Sequence, residues 1–118
     1  MKPPHQADRL DFIQSLVEYS KSTHELSEQI GKFEWDYEGE PVRLQYKHIS
    51  SVLEKYLRGE LTAQDVEVWA NLIEGREDVA PEKDCAEHID KIIYELANPE
   101  LTAPLDKTRA EEIIVAIT

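Results

Sequence analysis

The chain has 118 residues, 41% of them hydrophobic and 32% charged, with a net charge of −12 at pH 7. That length suits one domain with its own core, held without disulfides or metals. So acidic a balance argues against binding to nucleic-acid phosphates or anionic lipid heads and leaves a basic protein as the allowed partner. No apolar run approaches the ~20 residues of a transmembrane helix. The start, Met1 to Gln6, has no apolar stretch, so no secretory signal is expected. Cys85 stands alone and cannot close an internal disulfide, which fits a reducing cytoplasm.

Residues 1–7 are polar, carry two prolines and read as a disordered arm, with a single helical domain over 8–118. Asp8 is a candidate cap for a first helix on which Leu10, Ile13, Leu16 and Val17 recur at helical spacing, with Phe12 on one flank. The pattern continues or restarts around Ser22–Leu26, and Leu26 and Ile30 extend it. Gly31 offers a left-handed stop. The period then changes. Phe33, Trp35 and Tyr37 alternate with acids, and Val42, Leu44 and Tyr46 alternate with Arg43 and Gln45 across Gly39–Pro41. This predicts a short β-hairpin around 33–46, its apolar face against the helices, although a single strand leading into the next helix also fits.

Helical spacing returns at Ile49, Leu53, Tyr56 and Leu57 and ends at Arg58–Gly59. Thr62-Ala63-Gln64-Asp65 has the form of a capping box with Asp in the usual Glu place. Val66, Trp69, Ala70 and Ile73 give that helix its buried face, and Gly75 ends the segment. Pro81 is expected in the first turn of the following helix, which carries Ala86, Ile89, Ile93, Leu96 and Ala97 before Asn98–Pro99 stops it. Asp106 or Thr108 caps a last helix with Ala110, Ile113, Ile114 and Ile117. The expected fold is mainly α: a compact bundle of about five helices with one hairpin packed against it.

The charge is uneven. Between Glu60 and Asp90 there are ten acids and two bases, a net −8 in 31 residues, while the other 87 residues hold 15 acids and 11 bases. Glu74, Glu77, Asp78, Glu82, Asp84 and Glu87 lie in this stretch and form a candidate docking surface for a basic partner, where complementary charge speeds encounter and selects partners. The same acids also read as a solvated helical face with acids near helix starts, which the helix dipole favours. Glu34, Trp35 and Asp36 form a second candidate contact: an acidic row opposite aromatic residues. Such a row either mimics phosphates or guards a sheet edge against pairing.

Cys85 and His88 sit three apart on one expected helix, a spacing that holds two metal ligands where a site needs three or four. His5, His24 and His48 are scattered elsewhere. No GxGxxG, Walker loop, GxSxG or HExxH occurs, so no cofactor, metal or catalytic residue is assigned.

The segment from Tyr56 through Leu57-Arg58-Gly59-Glu60, Thr62, Trp69 and Gly75 to Asp78 resembles a small group of uncharacterised bacterial proteins, as does Tyr94 to Thr102. The helix break at Gly59–Glu60 before a Trp-bearing helix is also similar to colicin-type immunity proteins. That resemblance implies a helical, acidic, non-enzymatic protein that binds the basic nuclease of a toxin, with the 60–90 region facing it. The amino-terminal half, with its aromatic hairpin pattern, departs from an all-helical immunity bundle. Two other readings stay open: a structural or self-associating module using the hairpin edge, and a small metal-dependent enzyme using Cys85 or His88.

Overall fold

The helix ends follow from local chemistry. Thr62 Oγ1 accepts from the Asp65 amide at 3.0 Å, and Asp65 Oδ2 accepts from the Thr62 amide at 2.9 Å, so the capping box forms with Asp in the third position. A cap of this kind is worth roughly 1 kcal/mol. Asp106 caps the last helix through the Arg109 amide at 2.8 Å, and Ser22 caps a short helix through the Glu25 amide at 3.2 Å. The computed structural model describes residues 4–33, 37 and 39–118, the first five of them by backbone alone. Its helices are α1 (Pro4–Glu18), α2 (Thr23–Ile30), α3 (Tyr46–Leu57), α4 (Ala63–Ile73), α5 (Ala86–Ala97) and α6 (Lys107–Ile117). Two strands, β1 (Val42–Leu44) and β2 (Val79–Pro81), complete the order, with a 3-10 turn at Lys83–Cys85 before α5.

The chain is therefore mainly helical with one short two-stranded sheet. Of the described residues in 33–46, Val42–Leu44 is the strand, and it leads directly into α3. Among the described residues its partner comes from farther along the chain. β1 pairs with β2 in parallel, Val42 against Val79 and Leu44 against Pro81. A parallel pair needs a crossover of a dozen or more residues, and α3 and α4 supply it. The other expected hairpin arm falls on Glu34, Trp35, Asp36 and Glu38, outside the described residues.

Three further expectations change. α1 begins at Pro4, so Asp8 lies inside the helix and the expected arm at 1–7 is helical from residue 4. Gly31 closes α2 in the right-handed region, whereas Gly59 and Gly75 take φ of 80° and 83°. Pro81 ends β2 instead of opening a helix. A strand end in a two-stranded sheet tolerates a residue with no N–H to donate, and the next amide, Glu82, donates to the Leu44 carbonyl at 2.9 Å.

Trp69 is fully buried, and its indole N–H donates to the Leu16 carbonyl at 2.7 Å, tying α4 to α1. The same core holds Ile13 and Val17 of α1, Leu26 of α2, Ile49 and Leu53 of α3, and Ile89 of α5, all fully buried. α4 packs most extensively on α5, and α3 on α6. The break between α1 and α2 is made by Tyr19 at φ 52°, a left-handed conformation that costs a non-glycine residue on the order of 1 kcal/mol. Contacts from elsewhere hold it. The Tyr19 ring is buried, its hydroxyl meets Thr23, and Lys55 Nζ lies 5.8 Å over the ring while donating to the Tyr19 carbonyl at 3.3 Å.

Candidate protein-interaction surface

The expected site residues on the 74–87 stretch separate in space. Glu74 caps the end of α4 and is half-buried. The Asn98 side-chain amide reaches its two carboxylate oxygens at 3.4 and 3.5 Å. Glu77, Asp84 and Glu87 are exposed, and Glu82 is half-buried just before the 3-10 turn. Asp78 does not belong to this surface. It is fully buried, with Arg76 Nε and Nη2 on its two oxygens at 2.9 and 3.0 Å and Arg9 Nε at 2.9 Å. A buried carboxylate requires such partners, because burying an unpaired charge is prohibitive. Its carbonyl also accepts from the Val42 amide at 2.9 Å, so Asp78 joins α1, β1 and the loop before β2. Glu34, Trp35 and Asp36 lie outside the described residues.

Between the end of α4, the sheet and α5 runs a cleft of about 510 Å³. Leu44, Ile73, Val79, Pro81 and Ile93 give it an apolar lining, and Tyr94, 47% exposed, stands on its α5 side. Two carboxylates line it, those of Glu74 and Asp90. Glu77, Glu82, Asp84 and Glu87 do not. The site list read from sequence thus missed Asp90 and Tyr94. The missed signal was available: at i and i+4 the two share one face of α5, bordered by Ile93 three residues from Asp90. Among the described residues no lysine or arginine comes within ion-pair distance of Glu74 or Asp90. Arg76 also lines the cleft, but its guanidinium is engaged by Asp78.

A smaller crevice of about 280 Å³ lies between α4, α5 and the 99–105 connector. Two carboxylates line it, Glu67 and Glu95, and Glu95 is held in a two-point contact by Arg109 at 2.6 and 2.7 Å. That pairing keeps the Arg109 guanidinium protonated well above its ordinary range and leaves Glu95 little charge for an outside ligand.

Cys85 and His88 do meet a third side chain. The Tyr46 hydroxyl shares a 2.8 Å hydrogen bond with His88 Nδ1, and the two rings meet edge to face at 5.5 Å. Desolvation, followed by the charge of the neighbouring Cys85 thiol and a hydrogen bond to it, pushes the Tyr46 hydroxyl above its usual value. Among the described residues no group of three or more His, Cys, Asp and Glu side chains is arranged to hold a metal ion, and no helix is long and apolar enough to cross a membrane. Comparison with protein-family models, with curated proteins and with solved structures finds no match to this chain.

Proposed function

We propose that the chain is a non-enzymatic binding domain that docks a basic protein through the acidic face running from the end of α4 to the first turns of α5. The observation that carries this reading is the pair of carboxylates, Glu74 and Asp90, on a cleft with an apolar lining, neither of them within ion-pair distance of a lysine or arginine among the described residues, in the stretch that carries most of the net charge. Other acids are held by arginines of the chain: Glu95 by Arg109, Glu60 by Arg58, and Asp78 by Arg76 and Arg9. Complementary charge raises the encounter rate and rejects acidic competitors. The resemblance to colicin-type immunity proteins supports the more specific form, an immunity or inhibitor protein for a basic toxin or nuclease. A single thiol fits a cytoplasmic setting.

The test is capture of a basic protein from lysate with the intact chain and with a Glu74→Lys, Asp84→Lys, Glu87→Lys triple variant. Asp78 is left unchanged because it belongs to the interior. Capture that is lost in the variant and weakens as salt shortens the Debye length below about 10 Å supports the reading. Equal capture by the variant overturns it.

A further inference from the structure

The cleft between α4, β2 and α5 combines three features that select one kind of side chain. Its lining is aliphatic at Ile73, Val79 and Ile93, its α5 side carries the half-exposed ring of Tyr94, and its two carboxylates are Glu74 and Asp90. A purely apolar side chain would fill the floor but would strip water from two carboxylates and give nothing back. An acidic side chain would be repelled. Lysine would bring its charge as a compact, strongly hydrated point that gains little from an aromatic face. Arginine meets all three features: its methylene stem covers apolar surface, its planar cation stacks on an aromatic ring, and its forked donors match carboxylates. The volume of about 510 Å³ exceeds the needs of one side chain and leaves room for an apolar neighbour.

We infer that this cleft is the anchor pocket of the acidic face and receives an arginine side chain displayed on a basic protein partner. The inference rests on the proposed docking function and adds the contact chemistry: the arginine stem lies on the Ile73–Ile93 floor, Tyr94 takes the guanidinium face, and Glu74 and Asp90 take its donors. Arg76 does not compete for this position, since its own guanidinium is spent on Asp78 at 2.9 and 3.0 Å.

The experiment is a titration of the full-length, nitrogen-15-labelled chain with three capped tripeptides that differ at the middle residue: Leu-Arg-Leu, Leu-Lys-Leu and Leu-citrulline-Leu. Citrulline keeps the shape of arginine without the charge. The expected result is saturable amide shifts at Glu74, Gly75, Ile93 and Tyr94 with the arginine peptide at millimolar concentration, weaker binding of the lysine peptide and none of the citrulline peptide. Glu74→Gln with Asp90→Asn should weaken the arginine peptide about tenfold or more. Tyr94→Ala, at a half-exposed position that leaves the core intact, should bring the arginine and lysine peptides to equal affinity. Equal binding of the arginine and citrulline peptides overturns the inference, as does binding unchanged in the double variant. Shifts at Asp84 and Glu87 with none in the cleft overturn the pocket while leaving the acidic face standing. No shift at all also overturns the pocket, and the charge-reversal capture then judges the face on its own.

Discussion

Glu74 and Asp78 are four residues apart on one short stretch between α4 and β2, and the fold sends their charges in opposite directions. Asp78 turns inward to two arginines, one of them 69 residues away in sequence. Glu74 stays at a solvent cleft, where its carboxylate has, among the described residues, only a long contact from Asn98. The difference is one of partners. Inside, a carboxylate is tolerated because guanidinium groups replace its lost water, and the pair then fixes how α1 meets the sheet. At the cleft, water can still reach the carboxylate, so no internal cation is required and an external one can compete. The two acids thus differ in role: Asp78 is a structural acid that must stay paired, and Glu74 at the cleft remains open to an outside cation.

The most direct way to break this comparison is Asp78→Ala. It leaves the Arg9 and Arg76 guanidinium groups in a buried setting without their carboxylate, and losing one member of a buried ion pair costs roughly 3–5 kcal/mol. Urea unfolding should show a midpoint far below that of the parent chain. A loss under about 1 kcal/mol would place Asp78 among ordinary surface acids and remove the contrast.

A smaller effect separates local pairing from burial in another way. His48 is a buried histidine in the first turn of α3, and its Nδ1 accepts the Gln45 amide at 3.0 Å. Burial lowers its pKa, with Lys47 adding to the shift and Glu18 opposing it. The sign follows directly. The unfolded chain takes up the proton first, near the ordinary value of about 6.5, so the folded state keeps its full stability above that pH. Stability then falls as the pH drops from there through the lowered folded value. Protonation turns Nδ1 into a donor and breaks the contact with Gln45, at a cost of about 1 kcal/mol for one hydrogen bond. Stability measured from about pH 7 to 5 should fall more steeply for the parent than for His48→Gln. Identical slopes would mean that His48 is no better buried than the exposed His24.

How much of this was legible in the sequence depended on how far each cause lay along the chain. The Thr62–Asp65 box and the Asp106 cap were legible because both partners sit within three residues. The apolar faces of α3, α4 and α5 were legible because period alone identifies them. The strand at Val42–Leu44 could be read from its alternation, but its partner could not: alternation marks a strand and is silent on what it pairs with, and β2 lies beyond two helices. The α1 stop at Tyr19 carries no glycine signal, since Lys55, 36 residues away, bonds its carbonyl and Thr23 holds its hydroxyl. Asp78 looked like one more acid among ten because Arg9, which draws it inward, is 69 residues away. In the cleft, Glu74 was found from charge density alone. Asp90 and Tyr94 needed the helical face of α5 to be read for what it exposes as well as for what it buries.

The smallest expected change in stability sharpens the comparison most. Glu74→Gln with Asp90→Asn removes two charges from a chain of net charge −12, at positions where the described chain supplies no cation. Were these acids structural, their loss would cost what a paired acid costs. As available surface acids they should change stability by no more than about 0.5 kcal/mol, and relief of self-repulsion in so acidic a chain favours a slight gain. Salt distinguishes the origin of any gain, since screening weakens repulsion between exposed charges but hardly touches a buried pair. The double variant should therefore exceed the parent in stability by more at low salt than at high salt, whereas the deficit of Asp78→Ala should persist at both. A double variant as unstable as Asp78→Ala would show that Glu74 and Asp90 hold the fold together and are not free to meet a partner.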